Sequence, residues 1–237
     1  MSNGQLRLRF PKVRKPAERQ HGGRRANAGR LPKGPIAGMP HVQRPKLSRH
    51  HPVHVTVRVI PAVGKLRRRR AYRCVQWALI RMAPREDFRV AHVSIQRTHL
   101  HLLVEASDAR ALSRGVRAFE ISVARRLNRA CGRTGVVFRD RYHAQQLTTP
   151  RQVRNAFAYV LNNWRRHRED ADRGWRLDPF SSAIAFDGWR GHEHLAGFRL
   201  PTGYDALPVK YAKSWLLREG WRRHGLIDPR ELPGPRA

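Results

Sequence analysis

Acidic residues are scarce in this sequence, and their scarcity leaves a large positive charge. Only 17 of the 237 residues are Asp or Glu, against 49 Lys and Arg, so the formal net charge is +32 at pH 7. Such a charge repels itself and attracts phosphate groups strongly. Lysine is scarce too, since 42 of the basic residues are Arg, whose planar side chain donates two hydrogen bonds to phosphate. The composition favours nucleic acid over an anionic membrane as partner, because no helical segment is both strongly basic and broadly apolar.

Cysteine and long hydrophobic runs are also lacking. The two cysteines, Cys74 and Cys131, are too few for a disulfide framework or a zinc knuckle, and they are compatible with a reducing compartment. No apolar run approaches the roughly eighteen residues of a membrane span. The first thirty residues have no apolar segment of the kind found in a secretory signal. We therefore expect a soluble cytoplasmic protein.

Residues 1–50 lack any regular hydrophobic period. They contain thirteen Lys and Arg but one acid, Glu18, together with six Gly and six Pro. Burial in such a segment could not offset the entropy lost on ordering it. We predict a disordered basic arm here. The chain as a whole is 40% hydrophobic, which is enough for the remainder to bury a core.

Hydrophobic periodicity predicts an α+β domain over residues 51–170. Apolar alternation predicts four strands, at 54–60, 88–96, 99–106 and 136–147, the last either straight or bent. Helical spacing predicts three helices, at 67–82, from the cap Asp108 to Gly132, and from the cap Thr149 to about Arg168. The order β-α-β-β-α-β-α matches a ferredoxin-like split βαβ core with a mostly antiparallel sheet. Residues 171–237 are predicted to form an accessory wrap, with a short helix within 208–225.

Two histidines on the third predicted strand are candidates for a metal site. Leu100 and Leu102 form an apolar face of this strand, so His99 and His101 project together from the opposite face. Two neutral imidazoles side by side can share one divalent ion. The alternative is a pair of histidines on a solvated or helix-covered sheet face.

A tyrosine and an asparagine on the last predicted helix could complete such a site. Tyr159 and Asn163 are four residues apart, so their side chains are neighbours, on a flank well away from the helix's apolar stripe. The phenol could be a nucleophile, and the amide oxygen a third metal ligand. A half-buried aromatic with its hydroxyl in water is the alternative, and helix spacing does not decide between them.

Four segments, in this order, resemble motifs of the HUH single-tyrosine transposases, in the branch associated with repetitive extragenic palindromes (REP). They are His99-Leu100-His101, 132–142, Tyr159-Val160-Leu161-Asn162-Asn163, and 178–182. The first resembles the family's His-hydrophobic-His strand, and the second its Gly-Arg-x-Gly-x-x-Trp/Phe-x-x-Arg-Phe/Tyr segment. The third resembles its Tyr-Ile-x-x-Asn-Pro stretch, and the fourth its Trp-Pro-x-Ser-Ser ending. The resemblance spans about residues 50–190.

Two departures from the family pattern are visible. The Pro-Asn that often precedes the histidine pair is Arg97-Thr98 here, and the family's Asn-Pro-Val-Arg is replaced at 163–166 by Asn-Trp-Arg-Arg. The second departure leaves Asn162 or Gln152 as alternatives to Asn163 for the third ligand.

The resemblance implies an enzyme that cuts and rejoins DNA. His99, His101 and Asn163 would hold Mg²⁺ or Mn²⁺. Tyr159 would attack a phosphate to form a 5′-phosphotyrosine link and release a 3′-hydroxyl. The implied substrate is single-stranded DNA with hairpin or palindromic sites, and the implied process is DNA transposition. With this process we expect a protein of bacterial type that is associated with the nucleoid. A homodimer is left open.

Other interpretations and residues stay open from the sequence. One alternative function is a domesticated, catalytically weak or inactive hairpin-binding protein, and another is a basic RNA-binding accessory protein. Tyr142 and His143 are further site candidates, with packing favoured for Tyr142. His92 is expected to share a strand face with Phe88 and Val90, either supporting the metal site or, as we favour, packed in the core. Five arginines of the second helix could either follow a nucleic-acid backbone or form an ordinary solvated helix face: Arg114, Arg117, Arg125, Arg126 and Arg129.

Overall fold

The computed structural model describes residues 46–169, 176–191 and 198–234. Its strands are β1 Val53–Arg58, β2 Phe88–Ile95, β3 His99–Ala106 and β4 His143–Gln146. Its α-helices are α1 Arg69–Met82, α2 Ala109–Ala130, α3 Pro150–Arg166 and α4 Trp215–Arg218. The strands pair in the order β2-β3-β1-β4 with every pairing antiparallel. The parallel pair β1 and β2 is thus split by β3, and the predicted α+β split βαβ core is confirmed.

Strand alternation gives the sheet two buried faces. Val55 of β1 and Leu102 of β3 point to the face covered by α1 and α2. Leu103 points to the other face, where α3 and the C-terminal segments pack. Successive side chains of a strand point to opposite faces, so every second residue of β1 and β3 is turned towards α3. This face carries the polar residues of both inner strands.

The fourth strand differs from its predicted extent of 136–147. Residues 137–139 pair with the end of β1, where the amide of Ile60 donates to Val137 O at 2.9 Å and the amide of Arg139 donates to Arg58 O at 2.9 Å. The chain then leaves the sheet, and regular pairing resumes only at His143. The charged run 139–141 has no apolar residue to anchor it to the sheet, so the strand is interrupted there.

The predicted side-chain pattern of β2 is wrong from residue 91 onward. Val90 pairs with Val104, but His92 pairs with Leu103, which leaves Ala91 as an extra residue in a β-bulge. The bulge moves His92 to the α3 face, opposite Phe88 and Val90. Sequence alternation predicted one face for all three because it assumes uninterrupted pairing.

A short helix lies within 208–225, as predicted. Helix α4 has only four residues and is followed by a short 3-10 turn, Gly220–His224. The residues before α4 are extended because their amides are used elsewhere: Lys210 N–H donates to Val90 O at 2.9 Å, and the Lys213 and Ser214 amides donate to the Glu105 carboxylate. Of the predicted arm, residues 1–45 lie outside the described residues, as does the predicted domain boundary at 170/171.

Residues 178–182 cover the outer edge of β2. The amide of Ile95 donates to Phe180 O at 2.8 Å, and the amide of Val93 donates to Ser182 Oγ at 3.1 Å. The Arg67 guanidinium holds this segment by two hydrogen bonds to Asp178, of 3.0 and 2.8 Å. The fourth motif of the sequence therefore protects an exposed strand edge.

We expect Asp178→Asn to lower the free energy of unfolding by about 3–5 kcal/mol, because it leaves the buried Arg67 charge without its main partner. Urea denaturation measures the change. The matched control is Glu219→Gln, which breaks the exposed ion pair with Arg218 (3.8 Å) and should change stability by less than about 1 kcal/mol. Equal effects of the two substitutions would contradict a structural role for the buried pair.

Within the described ranges, no helix combines the length and the apolar character needed to cross a membrane.

Candidate functional site

His99 and His101 both project from β3 towards α3. Their ring centroids lie 4.6 Å apart, in an edge-to-face arrangement. His101 is fully buried in the centre of the sheet, whereas His99, at the start of the strand, is partly exposed. The same-face placement follows from strand alternation. It leaves one imidazole anchored in the protein and the other at the edge of solvent.

Neighbouring side chains hold the His101 ring at both nitrogens. Its Nδ1 lies 3.1 Å from His54 Nε2 and 3.2 Å from Thr56 Oγ1, both from β1, where Thr56 pairs directly with His101. Its Nε2 faces α3 and lies 3.3 Å from the Asn163 amide nitrogen. Partners at Nδ1 orient the ring, and a proton held at Nδ1 would leave the Nε2 lone pair available to a metal.

Helix α3 brings Tyr159 to the same place. The Thr149 hydroxyl caps this helix, and Gln152 completes a capping box. Two turns on from Gln152, the half-buried ring of Tyr159 lies with its centroid 5.1 Å from that of His101 and 5.7 Å from that of His54. The phenol and the buried imidazole of one chain are therefore neighbours.

Asn163 has the features of a metal ligand. The residue is fully buried, and its Oδ1 has no hydrogen-bond partner among the described residues, which is costly for a buried carbonyl oxygen. The two ends of an amide are nearly isosteric, so rotation of this group turns Oδ1 towards His101 Nε2. A divalent cation would satisfy that oxygen and an imidazole lone pair together, so the residues present fit a metal ion.

The two alternative third ligands are engaged elsewhere. The Asn162 amide nitrogen donates to Asp228 O at 2.9 Å, towards the C-terminal segment. Gln152 Oε1 accepts hydrogen bonds from the amides of Thr148 and Thr149 at the start of α3. Among the three candidates, Asn163 alone contacts His101.

The described residues contain no cluster of three or more His, Cys, Asp or Glu suited to a metal ion. The candidate donor set is instead two imidazoles and one amide. Mg²⁺ and Mn²⁺ take about six ligands, so water and a substrate phosphate would have to complete the coordination. Such an open set suits a catalytic ion better than a structural one.

Two histidines near this site were missed in the sequence. His54 contacts His101 directly, and the ring of His167 lies 6.2 Å from that of His99. Alternation of β1 places His54 and Thr56 on one face, so the sequence did show that these two side chains point the same way. The sequence pattern of one strand does not show which strand it pairs with, so the contact between His54 on β1 and His101 on β3 could not be predicted.

A cavity of about 170 Å³ adjoins Tyr159. His54 and Leu147 line one part of it, and the amide side chains of Gln145 and Asn155 line another. The lining also includes the Glu231 carboxylate, so the cavity combines apolar walls with amide and charged groups. The cavity places room for a ligand group directly beside the phenol.

The secondary candidates take different places. Tyr142 is buried in the core with α1 and α2, which confirms the packing interpretation. His143 begins β4, is exposed and pairs with Thr56. His92 packs edge-on against Phe157 and Phe186, with Nδ1 at 3.0 Å from Ser182 Oγ, so it is a packed core histidine, as favoured.

Burial lowers the pKa of His92 to about 4, from 6.5. The unfolded chain therefore binds one more proton than the folded protein between about pH 6.5 and 4, and stability falls as the pH drops through this window. We expect a loss of up to about 3 kcal/mol, measured by urea denaturation at pH 7 and pH 4. The His92→Gln variant should lose this part of the pH dependence. An identical profile in the variant would refute the assignment.

No family model and no curated protein matches this sequence. A solved structure described as a REP-associated tyrosine transposase bound to a REP hairpin is similar to this chain, with a TM-score of 0.48 and 17% sequence identity. The similarity covers 74% of this chain and 96% of that chain.

Proposed function

We propose that this protein nicks single-stranded DNA beside hairpin or palindromic sites and transfers the strand, through a 5′-phosphotyrosine intermediate that depends on Mg²⁺ or Mn²⁺. The observation that carries the proposal is the proximity of three side chains from a helix and a strand far apart in sequence. The ring centroids of Tyr159 and His101 lie 5.1 Å apart, and the Asn163 amide nitrogen lies 3.3 Å from His101 Nε2. The motif resemblance and the charge of +32 support the same function.

Each side chain has a defined task in the proposed reaction. Tyr159 Oη attacks the scissile phosphorus, the bond from phosphorus to the 3′ oxygen breaks, and the phenol proton is balanced by the proton on the departing 3′-hydroxyl. His99, His101 and Asn163 would hold the cation, which supplies charge neutralisation at the phosphate. A 3′-hydroxyl later attacks the phosphotyrosine, restoring a phosphodiester and the free phenol, so no external energy source is needed.

His54 and Thr56 would act by orienting His101. Their contacts at Nδ1 fix the direction in which Nε2 points before any substrate arrives. Such preorganisation is what a site needs to stabilise charge that develops during the reaction. The phenol and both imidazoles belong to one chain, so the proposed chemistry needs no residue from a second copy.

The departures from the family motif serve packing in this chain. Trp164, in place of the family's proline, is fully buried. The Arg165 guanidinium donates to Pro229 O at 2.7 Å, and that of Arg166 donates to Pro233 O at 3.2 Å. These two arginines hold the C-terminal segment against α3, so the substituted positions have a structural role in this chain.

A covalent-capture assay tests the proposal. The full chain and Mn²⁺ are incubated with a pool of single-stranded hairpins that have randomised flanks and are labelled at either end. A 5′-phosphotyrosine link predicts that the 3′ label migrates with the protein in denaturing gels, while the 5′ label is released on a short fragment. Hairpin binding with no covalent species from any pool member would favour the inactive DNA-binding alternative.

A further inference from the structure

We infer that the outer surface of α1 and α2 is a second nucleic-acid site, separate from Tyr159, which takes a single strand with its phosphates on a cluster of arginines and an unpaired base on Trp77. The helices α1 and α2 cover one face of the sheet, and α3 with Tyr159 covers the other. A strand held at this surface would leave the tyrosine site open. The inference therefore goes beyond the proposed nicking reaction.

The surface contains a groove of about 460 Å³ between the two helices. It is lined by one tryptophan and five arginines: Trp77, Arg69, Arg70, Arg73, Arg126 and Arg129. On α1, Arg73 lies four residues after Arg69 and three after Arg70, and Trp77 lies four after Arg73. On α2, Arg126 and Arg129 are three apart, so each helix presents these residues along one flank. The flanks adjoin because α1 and α2 pack together through their apolar stripes.

No acid balances this cluster among the residues that the structure describes. Arg69 Nε donates to Gly203 O at 3.1 Å. The side chains of Arg70, Arg73 and Arg129 make no hydrogen bond or ion pair with the residues that the structure describes. Like charges so close together repel one another, and phosphate groups would remove that repulsion. The same repulsion disfavours a second copy of the chain as the occupant.

Trp77 supplies a stacking surface within the cluster. Its side chain is 46% exposed, which is unusual for so large an aromatic. The Arg126 guanidinium lies 4.3 Å from the ring centroid, which holds the indole in place by a cation–π contact. An aromatic face beside arginines is the combination that binds unpaired bases and their phosphates without reading sequence.

The positive surface continues beyond the groove. A neighbouring cavity of about 280 Å³ shares Arg70 with the groove and adds Lys65 and Arg68. Several phosphates in a row can therefore be contacted, which suits a strand better than a single small anion. A continuous nucleic-acid backbone is the ligand that this arrangement fits.

The first test measures stacking. Fluorescence anisotropy gives the affinity of the full chain for a 12-nucleotide oligothymidylate, an oligouridylate of equal length and a 12-base-pair duplex. We expect Trp77→Ala to weaken binding of a single strand by roughly 5-fold to 100-fold and to leave duplex binding unchanged. A loss with either single strand supports the site and identifies the sugar it accepts. A loss with neither, or an equal loss with duplex, overturns it.

Trp215 provides a matched control for this substitution. It has the same 46% exposure and carries the Arg223 guanidinium 4.8 Å from its ring centroid, but it lies outside the arginine groove. We expect Trp215→Ala to leave affinity for single strands within about twofold. An equal loss in both variants would show that exposed tryptophans bind anywhere on the surface, and would overturn the inference.

The second test measures phosphate contacts by salt dependence. Replacing Arg70, Arg73 and Arg129 by Gln should reduce the slope of log K against log salt by about 2, since each single-strand phosphate contact contributes roughly 0.7. A charge-matched triple substitution of Arg218, Arg223 and Arg230 by Gln should change the slope by less than about 0.5. Equal changes in the two triple variants would refute a localised site.

Covalent capture separates this inference from the proposed function. At saturating DNA, the Trp77→Ala and arginine-groove variants should form the Tyr159 adduct as wild type does, because neither touches that site. If the wild-type protein forms no adduct, the proposed nicking reaction is refuted, while the affinities measured for the groove variants still test the second site. Loss of adduct in the groove variants at saturating DNA would show that the two sites are one, and would overturn the inference.

Discussion

The Tyr159→Phe variant is expected to form no covalent adduct with DNA, a loss of at least about 1,000-fold in the rate of strand capture. Only the phenol oxygen is removed, and removal of an attacking nucleophile elsewhere has effects of this size or larger. The ring remains, so its edge-to-face contacts with His101 and His54 persist. Time courses of the denaturation-resistant protein–DNA species, with each end label in turn, measure the loss.

Tyr211→Phe is the matched control for this prediction. Tyr211 is 97% exposed, so the loss of its hydroxyl removes a phenol from the protein without disturbing any packed group. We expect normal adduct formation in this variant and unchanged hairpin affinity in both. Normal adduct formation in Tyr159→Phe would show that another residue is the nucleophile and would refute the proposed mechanism.

The second large effect is expected from His101→Ala, which should weaken Mn²⁺ binding by more than about 100-fold and abolish strand capture. Even partners that only orient a ligand contribute roughly 10-fold to 100-fold in metal affinity, and His101 is the donor at the centre of the proposed set. Isothermal titration of the protein with Mn²⁺ alone measures the affinity, so the result does not depend on finding the DNA substrate. Thermal unfolding by circular dichroism checks that the variant is folded.

Three further substitutions make the metal prediction specific. His224→Ala, at an exposed histidine, should leave Mn²⁺ affinity unchanged. His54→Ala should weaken it by roughly 10-fold to 100-fold, because it removes a contact to His101 Nδ1. Asn163→Asp should keep or strengthen it, since a carboxylate is a better ligand for hard cations than an amide. Unchanged affinity in His101→Ala would place the cation elsewhere or exclude it.

Much of the scaffold follows from local pattern. The caps Asp108 and Thr149 start α2 and α3 where they were predicted, because capping depends on a few adjacent residues. The shared face of His99 and His101 follows from the two-residue period of a strand. These features are short-range, so a single sequence carries enough information to predict them.

Features that depend on residues distant in sequence could not be predicted from local sequence pattern. The contact of His54 with His101 exists only because β1 and β3 are paired in one register. The bulge at Ala91 reverses the faces of β2 without any glycine or proline to mark it. Asp178 resembles part of a motif, but its ion pair with Arg67, 111 residues away in sequence, is apparent only in the folded chain.

The candidate site lies on the inner strands of the sheet, where local unfolding is least favourable. Thr56 and His101 lie on β1 and β3, which are the two inner strands, whereas β2 and β4 form the edges. Local opening begins where fewest neighbours hold a strand, and inner strands open only with the whole domain. The amides around His101 should thus be among the slowest to exchange with deuterated solvent, and heat should inactivate the cluster only when the entire domain melts.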